Sequence, residues 1–372
     1  MLKQAKKIAI ITEFLYFFGG IEKSILLLVQ ELKKRGVQVD IYAGIYNPKK
    51  TFEEFKSLKV KSFKNERLPP IINTLYLRRK FKNFKLKGYD GYIFYGSHSL
   101  SAGKNHHPNV WWSTRPLAYL YGSEGKGADK NTDYLHQGKF IKRILMHIYL
   151  RILKIIDKRD IKGIDQIRIV GELVKPAIER AYPGRKIPLL YQPVDIHQYK
   201  YISNGKYYLN AARHSDDKNV DRVIKAFQKM PDKRLYQSGA GPNSEKIKEL
   251  AKGHKNIKLF GFTDEKVLRE LNGKCIATIS AAEGEDFSMN LIEGIASGKP
   301  TISVNLDNKK SQMEVTKTGV LIPNSSPEEI IKAVKYLDSK KALKMRKNCE
   351  EKSKIFSTEN HVNGLLKAMG LR

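Results

Sequence analysis

Apolar residues along this chain fall into short dense runs separated by stretches of one-face periodicity, the pattern of buried strands alternating with amphipathic helices. Lys7–Thr12 (KIAIIT) predicts a buried parallel strand. A loop holding Gly19-Gly20 follows, then an amphipathic helix over Ile21–Arg35 that Gly36 closes. Val37–Ala43, Tyr92–Tyr95, Asn109–Trp112 and Ile167–Val170 predict the next strands. At Lys206 the pattern starts again. Lys206–Ala212, Leu235–Pro242, Asn256–Phe262, Ala277–Ser280 and Thr301–Val304 predict a second set of strands, and Gly319–Pro323 with the helix from Ser326 closes that domain. The helix after the first of these sets Val220, Val223, Ile224 and Phe227 on one face. Two rounds of strand–helix alternation predict an α/β fold of two domains with parallel sheets, and 372 residues suit two cores of about 150–200 each.

Two segments depart from that regularity. Residues 56–87 carry 11 Lys/Arg and a single acid, Glu66, interleaved with Phe63, Tyr76, Phe81 and Phe84. Cations mixed with aromatics can dock on anionic lipid or on nucleic acid, and Pro69-Pro70 keeps the segment from being one continuous helix. Phe140–Lys158 is a long helical pattern with apolar Ile144, Leu145, Ile148, Ile152 and Ile155 beside basic Arg143, Arg151 and Lys154. It is read as a helix with its apolar side on the core and its basic side in water.

Composition narrows the class. Hydrophobic content of 41% with 10% aromatics supports packed interiors and excludes wholesale disorder. Two cysteines, Cys275 and Cys349, provide neither a disulfide framework nor metal spacing and point to a reducing compartment. The run Ile8–Ile11 is too short for a signal peptide, and no run of about 18 apolar residues is present to span a bilayer. The net charge is +31, of which residues 1–200 carry +21. Such a field favours nucleic acid, an acidic membrane surface or phosphorylated substrates, unless it is the lysine bias of a genome.

The candidate chemistry centres on Ser280–Pro300, SAAEGEDFSMNLIEGIASGKP. Glu285 and Glu293 stand eight positions apart across a loop that becomes a helix. Ser288 is placed to cap that helix, and Gly298 with Pro300 to end it. The first-turn amides of Met289 and Asn290, reinforced by the helix dipole, then form an anion site. Earlier in the second half, Arg213 and Lys218 lie at a strand end and suit phosphate oxygens. Gly239-x-Gly241 closes another strand.

These motifs, in this order, resemble the retaining nucleotide-sugar glycosyltransferases of family 4, which have the GT-B fold. The matching residues read Glu285-Asp286-Phe287-Ser288, Glu293-Gly294-Ile295-Ala296 and Gly298-Lys299-Pro300, with Arg213 and Lys218 five apart and Gly19-Gly20 after the first strand. The resemblance implies an acceptor-side Rossmann-like domain at 1–197, a nucleotide-sugar domain at 198–355, and a helix over 356–372 crossing back to the first. It implies sugar transfer from a nucleotide diphosphate to a hydroxyl with retained configuration. Catalytic roles fall on Glu285, Arg213, Lys218 and Thr114; the last stands where relatives carry a histidine, with Arg115 beside it. Donor binding falls on Gly19, Gly20, Gly239, Phe262, Ser288, Met289, Asn290 and Glu293. His98 and Arg115 are the acceptor-side candidates.

No Asp-x-Asp occurs, so the expectation is no metal and no cofactor beyond the nucleotide sugar as co-substrate. The expected partners are a glycan or lipid-linked acceptor and an anionic membrane surface, without nucleic acid, at the cytoplasmic inner face. An inactive homologue that binds a nucleotide sugar or glycan stands beside this reading. A nucleic-acid binder, favoured by charge alone, and an epimerase or phosphorylase on the same architecture stand further off.

Overall fold

The computed structural model describes residues 6–113, 117–121, 140–283, 287–305 and 317–371. The chain divides into two compact units: one runs up to residue 193 and includes 358–372, the other spans 194–357. Helices longer than one turn are numbered below.

The first unit contains β1 (Lys7–Leu15), α1 (Gly20–Lys34), β2 (Gln38–Tyr46), β3 (Lys61–Lys64), α2 (Pro70–Asn83), β4 (Gly91–Tyr95), β5 (Asn109–Ser113), α3 (Phe140–Asp160), β6 (Gln166–Ile169) and α4 (Lys175–Ala181). The sheet order is β3-β2-β1-β4-β5-β6 and every pairing is parallel. The Ile-rich run of β1 lies between β2 and β4, so Ile8, Ile10 and Ile11 are fully buried. Gly36, at φ 75°, ends α1: its amide bonds to Lys33 O and that of Val37 to Leu32 O, so a left-handed residue satisfies two last-turn carbonyls.

The second unit repeats the plan with β7 (Tyr207–Ala211), α5 (Val220–Gln228), β8 (Arg234–Ser238), α6 (Ser244–Ala251), β9 (Ile257–Gly261), α7 (Glu265–Lys274), β10 (Thr278–Ser280), α8 (Met289–Ala296), β11 (Thr301–Val304), β12 (Gly319–Ile322), α9 (Pro327–Tyr336) and α10 (Ser339–Ser353). Its order is β12-β11-β10-β7-β8-β9, again parallel throughout. Val220, Val223, Ile224 and Phe227 of α5 join its core, as their spacing predicts. In each unit, therefore, the first and fourth strands are neighbours and the chain winds outward from them in both directions. A topological switch point of that kind leaves a crevice at the strands' carboxyl ends, where open α/β sheets bind ligands.

The last helix, α11 (Thr358–Ala368), belongs to the first unit. It buries Val362, Leu365 and Leu366. His361 sets its ring against Trp112, 5.3 Å between centroids, and Arg35 Nη1 donates to Asn363 Oδ1 at 2.6 Å.

Two expectations are corrected. In α3 the isoleucine and leucine stripe faces outward: Ile144, Leu145, Ile148, Ile152 and Ile155 are exposed, and Met146, Leu153 and Asp157 turn inward. The reason is the neighbouring helix. Arg78 of α2 pairs with Asp157 Oδ1 at 2.6 Å and Asp160 Oδ2 at 2.9 Å, and this buried ion pair fixes which side of α3 meets the core. In the 56–87 segment the aromatics turn inward as well. Phe81 is fully buried, Phe63 packs edge-on to Phe81 and Phe84, and the Tyr76 hydroxyl donates to Phe63 O. Beyond β6, Leu189 makes an isolated parallel bridge to Ile169. Among the described residues no helix is long and apolar enough to cross a membrane.

Candidate functional site

At the switch point of the second unit, between the ends of β7 and β10, lies a cavity of about 280 Å³. Its walls come from Ala211 and Ala212 at the end of β7, Arg213 and Lys218 from the next loop, Ser280 to Ala282 after β10, and Met289, Asn290 and Glu293 of α8. Small residues at the strand ends leave the room, and the longer polar and charged side chains enter from the loop and the helix.

The Arg213 loop is fixed by its neighbours. Gly239, at φ 132°, has no Cβ because one would collide with Ala212 O, and a Cβ on Gly241 would come within 2.5 Å of His214 O. The two glycines thus let the β8 loop lie against the backbone that carries Arg213. His214 is buried, and burial holds its imidazole below the ordinary pKa; its Nδ1 lies 3.0 Å from Ser244 Oγ. Asn219 starts α5 in a left-handed conformation that asparagine tolerates, and its Nδ2 donates to Ala281 O at 3.0 Å. Glu283 N donates to Asp217 O at 2.9 Å, a second tie between the two walls.

The two cations of this loop differ in state. Lys218 Nζ lies 3.3 Å from Asp217 Oδ2. Burial would raise the Asp217 carboxyl, but Ser215 Oγ at 2.6 Å and Lys218 hold it below the usual value. Arg213 is exposed and has no side-chain partner among the described residues.

The start of α8 is built differently from the expectation. Ser288 occupies the N-cap position without a capping bond; its hydroxyl is buried and donates to Asn290 Oδ1 at 2.9 Å. Asn290 does the structural work, accepting from Leu291 N at 3.1 Å and donating through Nδ2 to Ala211 O at 2.9 Å. The helix start is thereby pinned to the end of β7, beside Arg213. Its other end follows the predicted stop: Gly298 at φ 70° donates to Ile295 O and Lys299 N to Gly294 O, both at 3.0 Å. Gly294 allows α8 to sit on the sheet, since a Cβ there would meet Thr278 Oγ1 at 2.5 Å. Glu293, one turn inside, is buried, lines the cavity and accepts a hydrogen bond from the Tyr199 hydroxyl. Burial, then the adjacent Glu293, pushes the Tyr199 phenol above its ordinary pKa. Tyr199 has no sequence signal that would have brought it to the site.

Of the sequence-predicted residues, Arg213, Lys218, Met289, Asn290 and Glu293 share this cavity. Ser288 and Gly239 support it from behind. Phe262 follows β9, is 86% exposed and does not line the cavity. Glu285, Thr114 and Arg115 lie outside the described residues.

In the first unit, Gly19 and Gly20 admit side chains of their own unit: a Cβ on either would come within 2.7 Å of Glu22 Oε2 or Gln192 Nε2 respectively. His98 sits at that unit's own switch point, after β4. Its Nδ1 is 2.5 Å from Glu13 Oε2 and its Nε2 3.2 Å from Thr74 Oγ1 of α2. Burial would raise the Glu13 carboxyl, but the His98 ring and amide hold it below the usual value. Both ring nitrogens of this buried histidine are thus engaged.

Comparison with known proteins adds three findings. The glycosyl transferases group 1 family matches residues 194–356, the second unit. An uncharacterized glycosyltransferase of Methanocaldococcus jannaschii is 25% identical over 227 residues, a match that spans 56% of this chain and 57% of that protein. Among solved structures, the Anabaena protein HepE in complex with UDP and glucose aligns with a TM-score of 0.69 at 15% identity, covering 98% of this chain and 99% of HepE. The sucrose-phosphate synthase of Thermosynechococcus elongatus aligns with a TM-score of 0.73 at 14% identity, covering 97% and 98%. At these identities the structural likeness speaks for the fold alone, two Rossmann-like units as in GT-B proteins.

Proposed function

From the premise that this chain is a GT-B protein carrying a glycosyl transferases group 1 domain, we propose that it moves a sugar from a nucleotide diphosphate donor to a hydroxyl of a glycan or lipid-linked acceptor. The observation that carries the reading is the cavity at the second switch point, where Arg213, Lys218 and the start of α8 meet around one opening with Glu293 inside it. Two cations and a helix N-terminus suit a diphosphate. A buried carboxylate one turn further in suits the paired hydroxyls of a ribose. The exposed Phe262 offers a flat face on which a base can stack.

Transfer proceeds with retained configuration and without a metal ion. As the bond from sugar to phosphate breaks, negative charge grows on the leaving diphosphate, and Arg213, Lys218 and the α8 amides stabilise it. The leaving phosphate takes the acceptor's proton on the same face, and Glu285 holds donor sugar hydroxyls. Thr114 takes the catalytic position at which relatives carry a histidine, and His98 and Arg115 serve the acceptor side. The enzyme works at the cytoplasmic inner face of a membrane. A second reading, a homologue that binds a nucleotide sugar without turnover, draws on Thr114 standing where relatives carry histidine.

A thermal-shift panel of uridine, guanosine and adenosine diphosphate sugars tests the donor site. The uridine arm is expected to respond first, HepE having been solved with UDP. At a hundred times its dissociation constant a true ligand stabilises by about 2.7 kcal/mol, a shift of several degrees. Silence across the panel sinks the donor reading, and binding without released nucleotide diphosphate selects the second one.

A further inference from the structure

The outward stripe of α3 is the least expected surface of the molecule. At ~100° per residue, Ile144, Leu145, Ile148, Ile152 and Ile155 fall within about 100° of arc on the side opposite the core. All five are exposed, Leu145 at 62% and Ile155 at 70%. Beside them on the same helix stand exposed Arg151 and Lys158, with Lys154 turned over the Tyr121 ring at 5.3 Å.

Helix α2 runs alongside in the same direction, since Tyr149 Oη donates to Ile71 O at one end and Arg78 reaches Asp157 and Asp160 at the other. It adds Ile71, Ile72 and Leu75 to the exposed apolar surface, followed by exposed Arg79, Lys80 and Lys82. Neither helix shows a carboxylate to water. Pro70–Asn83 contains no acid, and the acids of Phe140–Asp160 are Asp157 and Asp160, both buried against Arg78. Exposed isoleucines and leucines flanked on both helices only by cations are not the surface of a helix pair solvated on its outer side.

We propose that the joint outer face of α2 and α3 docks on an anionic lipid bilayer, isoleucines and leucines entering the headgroup boundary and the lysines and arginines meeting the acidic headgroups. Charge complementarity selects this occupant: a second copy of the chain would set these cations against their like. The placement has a use. Thr74 of α2 touches His98 at the first unit's switch point, so the apolar end of α2 lies at the edge of the sheet where this fold takes ligands. A bilayer seated there presents a lipid-linked acceptor to that edge. This purpose rests on the sugar-transfer reading, whereas the docking itself rests on the surface alone.

Co-sedimentation of the full chain with vesicles of phosphatidylglycerol and phosphatidylcholine, against phosphatidylcholine alone, tests it. Binding is expected with the acidic vesicles only and should fall as salt rises. Replacing Arg151 and Lys158 together by Gln should weaken partitioning roughly thirtyfold, and Ile148→Ser with Ile152→Ser and Ile155→Ser at least tenfold. Both variants should keep the unmodified protein's melting temperature and its affinity for UDP. No binding to acidic vesicles, equal binding by the variants, or binding indifferent to salt overturns the proposal. So does a concentration-dependent dimer in sedimentation velocity that the serine variant abolishes while vesicle binding stays. Docking without UDP affinity would instead refute the donor site and leave the surface assignment standing.

Discussion

Arg213→Ala is the cleanest perturbation of the donor site. The guanidinium lines the cavity, is exposed, and has no side-chain partner among the described residues, so its removal leaves no orphaned charge behind. A hydrogen bond to a charged group contributes ~1.5–3 kcal/mol, and an exposed ion pair ~0.2–1 kcal/mol. A cation that is half in water and half over a diphosphate falls between, at about 1.5 kcal/mol, or roughly tenfold in affinity. Lys218→Ala is a poorer test, because Asp217 would lose the cation 3.3 Å away and turn an uncompensated charge toward the ligand. Titration calorimetry with UDP and with uridine separates the terms. Arg213→Ala should lower UDP affinity about tenfold and leave uridine affinity where it was. Its effect on stability should stay within about 0.5 kcal/mol, as for other exposed side chains. Unchanged UDP affinity, or an equal loss for uridine, would refute the placement of the diphosphate beside Arg213.

Other outcomes follow from the same geometry. Glu293→Gln keeps the shape but loses the charge that the Tyr199 hydroxyl meets; it should weaken uridine and UDP equally, by about 1–2 kcal/mol in calorimetry, unlike Arg213→Ala. Gly239→Ala forces a Cβ into Ala212 O at a φ of 132° and should cost about 3 kcal/mol in urea unfolding, with UDP binding lost beyond that seen for surface variants. Lys299 is buried beneath Tyr201, with Nζ donating to Ser203 O at 2.5 Å, and burial lowers its pKa to about 8. The unfolded chain holds that proton up to about pH 10.4, so this lysine opposes folding below pH 8 and the opposition fades between pH 8 and 10.4. Urea midpoints should therefore rise across that window in the natural chain relative to Lys299→Met; parallel curves would refute the assignment.

Much of the architecture was legible because parallel strands buried on both faces read as dense apolar runs. The predicted strands recur within a few residues, and β1 and β2 outlast their apolar runs only because Leu15 and Ile45 also find cover. β3 was missed: KSFK is an edge strand with two exposed residues and no run to see. The outward stripe of α3 was assigned to the core because periodicity reports that a helix has an apolar side, not what lies against it. What decides is Arg78, far away in sequence, drawing Asp157 and Asp160 inward. At the site, Arg213 and Lys218 were legible from spacing at a strand end. The exchange of roles between Ser288 and Asn290 was not, since it depends on Ala211 O lying within reach. Nor was Tyr199, which meets Glu293 only through the fold.

Helix α11 carries a consequence for synthesis. Its residues complete the first unit, where Val362 and Leu365 fill the interior and His361 covers Trp112, yet they leave the ribosome after all of 194–357. The later-encoded unit can close first, while the earlier one waits with Trp112 and the flank of α1 uncovered. A nascent chain stalled before Thr358 would thus display an unfinished N-terminal half beside a finished C-terminal one. Chaperones and proteases would find their substrate in the part made first.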